Sequence, residues 1–259
     1  GLSNTNVRSL AIDPLTPTTL YAGTGGGVFR SIDGGGSWIV VKVGLTTIDI
    51  NILAIDPTTP TTLYAGTWGG GVFKSINSGE IWTAANTGIT ASYVYALAID
   101  PLTPTTIYAG SSDGGVFKST NSGDSWTAAN TGLQDTGIGA LAIDPLTPTI
   151  LYAGTGGGVF KSTNSGESWS AFNPGLPDTR IGALAIDPLT PTSLYAGTDG
   201  NGVFAIQQIP AELEINYSTG APGSFFTLTG SNYPPDDTAT ITINGIVVGT
   251  VPTDSSGDL

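Results

Sequence analysis

The sequence predicts an all-β protein made of five repeated units, and three observations lead to this prediction. The motif LAIDP occurs five times, beginning at Leu10, Leu53, Leu97, Leu141 and Leu184, so that successive copies lie 43 or 44 residues apart. Each copy is followed by LYAG or IYAG and then by GVF, with turn-forming Asp-Pro and glycine-rich segments between the apolar runs. No helical periodicity is sustained in the chain. A repeat of this length with four short antiparallel strands is typical of a β-propeller blade.

The first repeat illustrates the four predicted strands, which are rich in β-branched and aromatic residues. They are Val7–Asp13, Thr19–Thr24, Gly27–Ile32 and Ser37–Val43. Repeats two to four follow the same pattern. The fifth repeat keeps IGALAIDP, TSLYAGT and GVFAIQQI but has no segment corresponding to the fourth strand. We therefore predict a five-bladed β-propeller over residues 1–208, built of 43–44-residue four-stranded repeats with an incomplete last blade.

Residues 209–259 differ in sequence from the repeats. They contain GAPGSFFTLTGSNYPP and then TATITINGIVVGTV, which reads as a hairpin with its turn at Asn244-Gly245. These segments resemble the beginning of a bacterial immunoglobulin-like domain. The resemblance implies a partial immunoglobulin-like β-sandwich, because three strands alone cannot close a sandwich.

The incomplete blade and the partial sandwich both leave strand edges to be covered. One hypothesis is that each subunit completes its neighbour head to tail by strand addition, which would produce a filament or lattice. The alternatives are a longer polypeptide that contains the missing strands, or closure of the fifth blade by the N-terminal segment GLSNTN.

Composition excludes several kinds of function. The chain has no cysteine and no histidine, so it lacks thiolate ligands, disulfides and the commonest general base. Seven basic and 20 acidic residues give a net charge of −13, which argues against binding to nucleic acid or to anionic membranes. No apolar stretch is long enough to predict membrane insertion. The absence of methionine predicts a processed chain that is secreted or displayed at the cell surface.

Four repeats share a polar turn that closes with tryptophan: SIDGGGSW at 31–38, SINSGEIW at 75–82, STNSGDSW at 119–126 and STNSGESW at 162–169. This turn resembles the Asp-box (BNR) motif of sialidase-like propellers, which also occurs in sortilin-type domains, xyloglucanases and photosystem II assembly-factor-like proteins. The resemblance covers roughly residues 1–205. It implies a structural set of residues, namely Ser31, Asp33, Gly35, Trp38, Asn77, Gly79, Trp82, Asn121, Gly123, Trp126, Asn164, Gly166 and Trp169.

Physical reasoning also favours a structural role for this turn. Asp33 is expected to accept backbone hydrogen bonds, Gly36 to adopt a left-handed conformation, and Trp38 to pack into its blade. The other three copies carry asparagine instead of aspartate, which can make the same bonds without the charge. A metal ligand or a catalytic group would need the carboxylate.

The five Asp-Pro aspartates, at positions 13, 56, 100, 144 and 187, are explained in the same way by turn bonding. A ring of five carboxylates is also compatible with Ca²⁺, but no cofactor is required. The basic residues Arg30, Lys74, Lys118 and Lys161 occupy equivalent positions and are therefore expected to be spread around the ring.

The resemblance raises the question of enzyme activity. Sialidases bind the substrate carboxylate with three arginines, but only Arg8, Arg30 and Arg180 occur here, and Arg30 is at a repeated position. Xyloglucanase-type hydrolysis needs two carboxyl groups across a cleft. A catalytic site breaks symmetry, whereas these blades are nearly copies. We predict that the chain is not an enzyme.

Variation among the repeats is confined to two kinds of loop, which are expected to lie together on one face. These are the loops between the second and third strands and the connections between blades. The exposed candidates for ligand binding are Asp49, Trp68, Tyr93, Asp113, Asp135, Asp178, Arg180, Asp199 and Asn201. Aromatic rings among carboxylates and amides suit a sugar. The alternative is that unselected loops drift in sequence.

These observations predict a secreted structural or adhesive surface protein that self-assembles. A carbohydrate-binding propeller is the alternative, and an assembly factor that docks onto another protein is a third. The expected partners are other copies of the chain, cell-surface proteins or polysaccharide.

Overall fold

A computed structural model describes residues 1–173, 175–177, 179–207, 212–215, 228–231, 238–243 and 246–252. The chain divides into two compact units, Gly1–Ile206 and Gln207–Leu259. All regular structure in these residues is β-strand, and every sheet is antiparallel. Within the same residues no helix is long and apolar enough to span a membrane.

The first unit contains five sheets, one for each repeat. Blade 1 consists of β1 (Val7–Ile12), β2 (Leu20–Thr24), β3 (Gly27–Ser31) and β4 (Ile39–Val40). Blade 2 consists of β5 (Ile50–Ile55), β6 (Leu63–Thr67), β7 (Val72–Ser75) and β8 (Thr83–Ala84). Blade 3 consists of β9 (Val94–Ile99), β10 (Ile107–Ser111), β11 (Val116–Ser119) and β12 (Thr127–Ala128). Blade 4 consists of β13 (Ala140–Ile143), β14 (Leu151–Thr155), β15 (Gly158–Ser162) and β16 (Ser170–Ala171).

Blade 5 is a three-stranded sheet of β17 (Ile181–Ile186), β18 (Ser193–Thr198) and β19 (Gly202–Gln207). The predicted all-β propeller with an incomplete fifth blade is therefore confirmed. The fourth strand of each complete blade is shorter than the sequence predicted. Only two residues pair with the third strand, as Ile39 and Val40 do with Arg30 and Phe29.

The two kinds of repeated turn lie together on one face, called here the constant face. The amide of Ser78, in the turn 75–82, donates to the carbonyl of Thr61, in the Asp-Pro turn of the same blade, at 2.8 Å. The variable loops meet on the opposite, variable face. There the amide of Trp68, between β6 and β7, donates to the carbonyl of Asp49, in the connection from blade 1, at 2.9 Å.

The hydrophobic core lies between blades. Tyr21 and Val28 of blade 1 form one buried cluster with Ile50, Leu53 and Trp82 of blade 2. Equivalent clusters join blades 2 and 3, 3 and 4, and 4 and 5. Each sheet is therefore stabilised mainly by its neighbours, as expected for a repeat that cannot bury its apolar surface alone.

The N-terminal segment GLSNTN lies against its own blade. The carbonyl of Asn6 accepts a hydrogen bond from Gly25, in the β2–β3 loop, at 3.3 Å. A Cβ atom added at Gly26 would meet the side chain of Asn4 at 2.7 Å. The segment therefore contacts blade 1 and does not supply a fourth strand to the sheet of blade 5.

The described residues of the second unit form two strand pairs. They are β20 (Glu212–Ile215) with β21 (Leu228–Ser231), and β22 (Thr238–Ile243) with β23 (Ile246–Pro252). Ile243 pairs with Ile246, which agrees with a two-residue hairpin, although Asn244 and Gly245 themselves lie outside the described residues.

Candidate functional site

A cavity of about 490 Å³ lies where the inner strands of the five blades meet at the variable face. In four blades the pairing of the inner strand shifts at its second residue, which is Arg8, Asn51, Tyr95 or Gly182. A β-bulge of this kind turns the side chain of the extra residue. All four residues line the cavity, together with Gly139 at the equivalent position of blade 4.

The wall formed by blades 1 and 2 is polar and connected by hydrogen bonds. The guanidinium of Arg8 forms an ion pair with Asp49 and donates to Oδ1 of Asn51 at 3.1 Å. Nδ2 of Asn51 donates in turn to the carbonyl of Val94, on blade 3, at 3.0 Å. These bonds hold the amide and the guanidinium in fixed positions at the cavity wall.

An aromatic group stands beside this wall. The side chain of Trp68 is 49% exposed, and its ring meets Tyr93 and Tyr95 edge-on at centroid distances of 5.4 and 5.8 Å. A backbone bridge between Trp68 and Tyr93 fixes the loop that carries the indole. Trp68 and Tyr95 also line the cavity. The edge-on contacts orient the indole ring and still leave about half of the residue open to solvent.

The wall formed by blades 4 and 5 is open by contrast. A Cβ atom added at Gly182 would have no neighbour within 4 Å. The exposed Arg180 lies beside this space and lines the cavity. The site is therefore asymmetric, with aromatic and polar groups on one side and free space on the other.

The other predicted residues that the structure describes lie outside the cavity lining, as do Asp49 and Tyr93, which contact the lining residues Arg8 and Trp68. Asp135 accepts a hydrogen bond from the amide of Gly137 at 2.8 Å, and Asp113 and Asn201 are exposed on loops of blades 3 and 5. The backbone of Asp199 donates to the carbonyl of Arg180 at 2.9 Å. Asp178 lies outside the described residues. The structure thus brings together Asp49, Trp68, Tyr93 and Arg180 from the predicted set.

Three residues of the site were not predicted from the sequence: Arg8, Asn51 and Tyr95. The signal for them was the column formed by the second position of each inner strand, which reads Arg, Asn, Tyr, Gly, Gly. This column and the position after it vary, whereas the Leu-Ala-Ile that follows is identical in all five strands.

On the constant face, the polar groups of the turn 31–38 form hydrogen bonds with one another. Oδ1 of Asp33 accepts from the Ser31 hydroxyl and from the Ser37 amide, both at 2.8 Å, and Oδ2 accepts from the Ser37 hydroxyl at 2.6 Å. These bonds, led by the Ser37 hydroxyl, lower the pKa of Asp33 to about 2. Asn121 makes the same contacts through Oδ1, while its Nδ2 donates to the Ser125 hydroxyl at 2.8 Å.

One expectation about this turn was wrong in detail. The left-handed residues of the first copy are Gly34 and Gly35, with φ of 69° and 95°, and not Gly36. Trp38 bonds within its own turn, whereas the tryptophans of the other three copies pack against the preceding blade. The indole of Trp82, for example, donates to the carbonyl of Val41 in the preceding blade at 3.0 Å.

The Asp-Pro aspartates are occupied by their own turns. Each carboxylate accepts the amides two and three residues later, as Asp13 does from Leu15 and Thr16 at 2.8 and 3.0 Å. No group of three or more acidic residues within the described part of the chain is placed to hold a metal ion.

No protein-family model and no curated protein matches the chain, but solved structures do. A GH74 enzyme from Niastella koreensis matches with a TM-score of 0.63 and 21% identity, over 86% of this chain and 41% of that one. The GH74 xyloglucanase from Xanthomonas campestris matches with a TM-score of 0.62 and 18% identity, over 96% and 45%. The extracellular domain of a one-component system from B. thetaiotaomicron matches with a TM-score of 0.63 and 19% identity, over 82% and 28%. The chain spans less than half the length of each of these proteins, and at these identities the likeness shows the propeller fold alone.

Proposed function

We propose that this chain is a non-catalytic, extracellular adhesive propeller that binds polysaccharide at the cavity on its variable face. The observation that carries the proposal is the aromatic group of Trp68, Tyr93 and Tyr95 beside the hydrogen-bonded Arg8 and Asn51. An exposed indole offers a flat apolar surface to a sugar ring, and the neighbouring guanidinium and amide offer partners to its hydroxyls.

The carboxyl groups of the described residues support binding over hydrolysis. A glycoside hydrolase needs two carboxyl groups about the scissile bond, one of them with a raised pKa. Hydrogen bonds within their own turns lower the pKa of Asp33 to about 2 and also lower the pKa of Asp187, so neither group has the raised pKa that such an acid needs. Both turns lie on the constant face. Asp49, beside the cavity, is paired with Arg8.

The sequence and the similar structures support the wider context. We infer that the turns 31–38, 75–82, 119–126 and 162–169 are Asp-boxes and that the second unit begins an immunoglobulin-like domain. Such a domain would serve as a spacer at a cell surface. The similar structures include an extracellular domain and a xyloglucanase, which supports a location outside the cell and a polysaccharide partner.

A glycan array together with soluble polysaccharides, including xyloglucan, tests the proposal. Trp68→Ala removes the stacking surface, and Gly182→Trp fills free space at the cavity wall. Each variant should weaken binding at least about tenfold, or ~1.4 kcal/mol. Ile76→Ala is the control, because this side chain is 70% exposed on the constant face.

A reducing-end assay on every bound polysaccharide should detect no cleavage. Absence of binding to all glycans, or binding that survives both substitutions, would refute the proposed site. Release of new reducing ends would show that the chain is an enzyme.

A further inference from the structure

Each interface between successive blades joins the same two kinds of surface. The trailing face of one blade presents a tyrosine from its second strand and a valine from its third, such as Tyr64 and Val72 of blade 2. The leading face of the next blade presents apolar residues of its inner strand and, in blades 2 to 4, the tryptophan of its box-like turn, such as Val94, Leu97 and Trp126. The two faces are chemically complementary and bury each other.

Blade 5 has a trailing face that is exposed. Tyr195 and Val203 are 42% and 74% exposed, whereas the tyrosines and valines at these positions in blades 1–4 are at most 1% exposed. A Cβ atom added at Gly197 would meet only Ala183 of its own blade. One added at the equivalent Gly154 would lie 2.7 Å from the side chain of Ile181 in the next blade.

Blade 1 has a leading face that is exposed. Leu10 is 68% exposed, whereas the equivalent Leu53 of blade 2 is 5% exposed. The half-buried Trp38 donates its indole N–H to the carbonyl of Gly35 in its own turn at 3.2 Å. The indole of Trp82 donates instead to a carbonyl of the preceding blade. Closure of blade 5 against blade 1 within one chain would bury these groups, so the two faces are not in contact.

We propose that the trailing face of blade 5 binds the leading face of blade 1 in a second copy of this chain. The four interior interfaces supply the argument, because they show what each of these surfaces packs against. The contact uses blade faces and does not require strand addition at an edge. It is heterologous, so each copy in a pair keeps one free face, and association continues until a ring closes or a fibre forms.

Sedimentation velocity of the full 259-residue chain tests this proposal over about a hundredfold range of micromolar concentrations. The natural sequence should form oligomers whose size grows with concentration. Val203→Glu places a charge on the trailing face and Leu10→Glu places one on the leading face, and each variant alone should be monomeric. Leu189→Glu is the matched control, because Leu189 is 88% exposed in an Asp-Pro turn and should leave assembly unchanged.

A mixture of the two monomeric variants gives the decisive result. Val203→Glu retains an intact leading face and Leu10→Glu an intact trailing face, so the mixture should form a one-to-one dimer that grows no further. All of these side chains are exposed, so each variant should melt at the temperature of the control under monomeric conditions. A chain that stays monomeric, variants that still assemble, or a mixture that stays monomeric would each overturn the proposal. None of these readouts involves a glycan, so the result is independent of the proposed function.

Discussion

At the scale of single residues, the turn 31–38 shows that one geometry accepts either a carboxylate or an amide. Asp33 and Asn121 accept the same pair of hydrogen bonds, and only the bond with the serine hydroxyl four residues later differs in direction. The Ser37 hydroxyl donates to Asp33, whereas Asn121 donates to the Ser125 hydroxyl. The exchange leaves the turn intact, and at this position only the first copy carries a titratable group.

Asp33→Asn should remove the pH dependence of stability that comes from this carboxylate. The pKa of Asp33 is about 2 in the folded protein, below the ordinary value of 3.8, so its contribution to stability is complete above the ordinary value. That contribution is lost as the pH falls through about 2. The difference in melting temperature between the natural sequence and Asp33→Asn should therefore shrink between pH 4 and pH 2. Thermal melts of both proteins across this range check it, and a difference that stays constant would show that the carboxylate has no such role.

Gly88→Ala should be far more destabilising than Gly175→Ala, although both glycines have positive φ, of 92° and 70°. A Cβ atom at Gly88 would overlap the carbonyl oxygen of Trp126 in the next blade, whereas one at Gly175 would meet nothing within 4 Å. We expect about 1 kcal/mol for Gly175→Ala, from conformational strain, and about 3 kcal/mol for Gly88→Ala, from strain and overlap together. Urea unfolding of the two variants gives both values, and equal values would contradict the close contact between blades.

At the scale of elements, the tryptophan that ends the polar turn of blades 2, 3 and 4 links its blade to the preceding one. The indole of Trp126 is 3% exposed and donates to the carbonyl of Ala85 at 2.9 Å. Trp126→Phe leaves that partly buried carbonyl without its donor and should cost about 2 kcal/mol. Trp38→Phe is the control, because this indole bonds only within its own turn, and it should cost under about 1 kcal/mol. Differential scanning calorimetry distinguishes the two, and a larger loss for Trp38→Phe would refute the assignment.

The elements also show what the sequence could and could not predict. The blades and their turns were predictable because Asp-Pro, Asn-Ser-Gly and paired glycines determine local backbone geometry, and the chain repeats them. The partner of each tryptophan was not, since burial in one repeat does not reveal which neighbour covers it. The inward orientation of Arg8, Asn51 and Tyr95 depends on a bulge that the alternation of apolar residues does not reveal.

At the scale of the whole molecule, stability and recognition lie on different surfaces. The turns of the constant face and the apolar clusters between blades use equivalent residues in blades 1 to 4. Substitutions at these positions would disturb the contacts that stabilise the sheets. The cavity on the variable face uses one bulged residue from each of four blades, and none of the four belongs to the apolar clusters between sheets. Such a scaffold can acquire a new ligand by substitution at the bulge column and in the adjoining loops.

Hydrogen exchange should rank the blades by how many of their faces are covered. In a repeat protein the stability of a unit is close to the sum of its own stability and the contacts with its neighbours. Blade 3 is packed on both sides, whereas blade 5 leaves Tyr195 and Val203 exposed. At low concentration, the amides of β17–β19 should therefore exchange faster than those of β9–β11, by about tenfold or more for a difference above ~1.4 kcal/mol.

Raising the concentration of the natural sequence should slow exchange in blades 1 and 5 alone, because docking of a second copy covers those faces. Val203→Glu should show no such change, and equal protection of all five blades at low concentration would mean that the open faces do not limit stability.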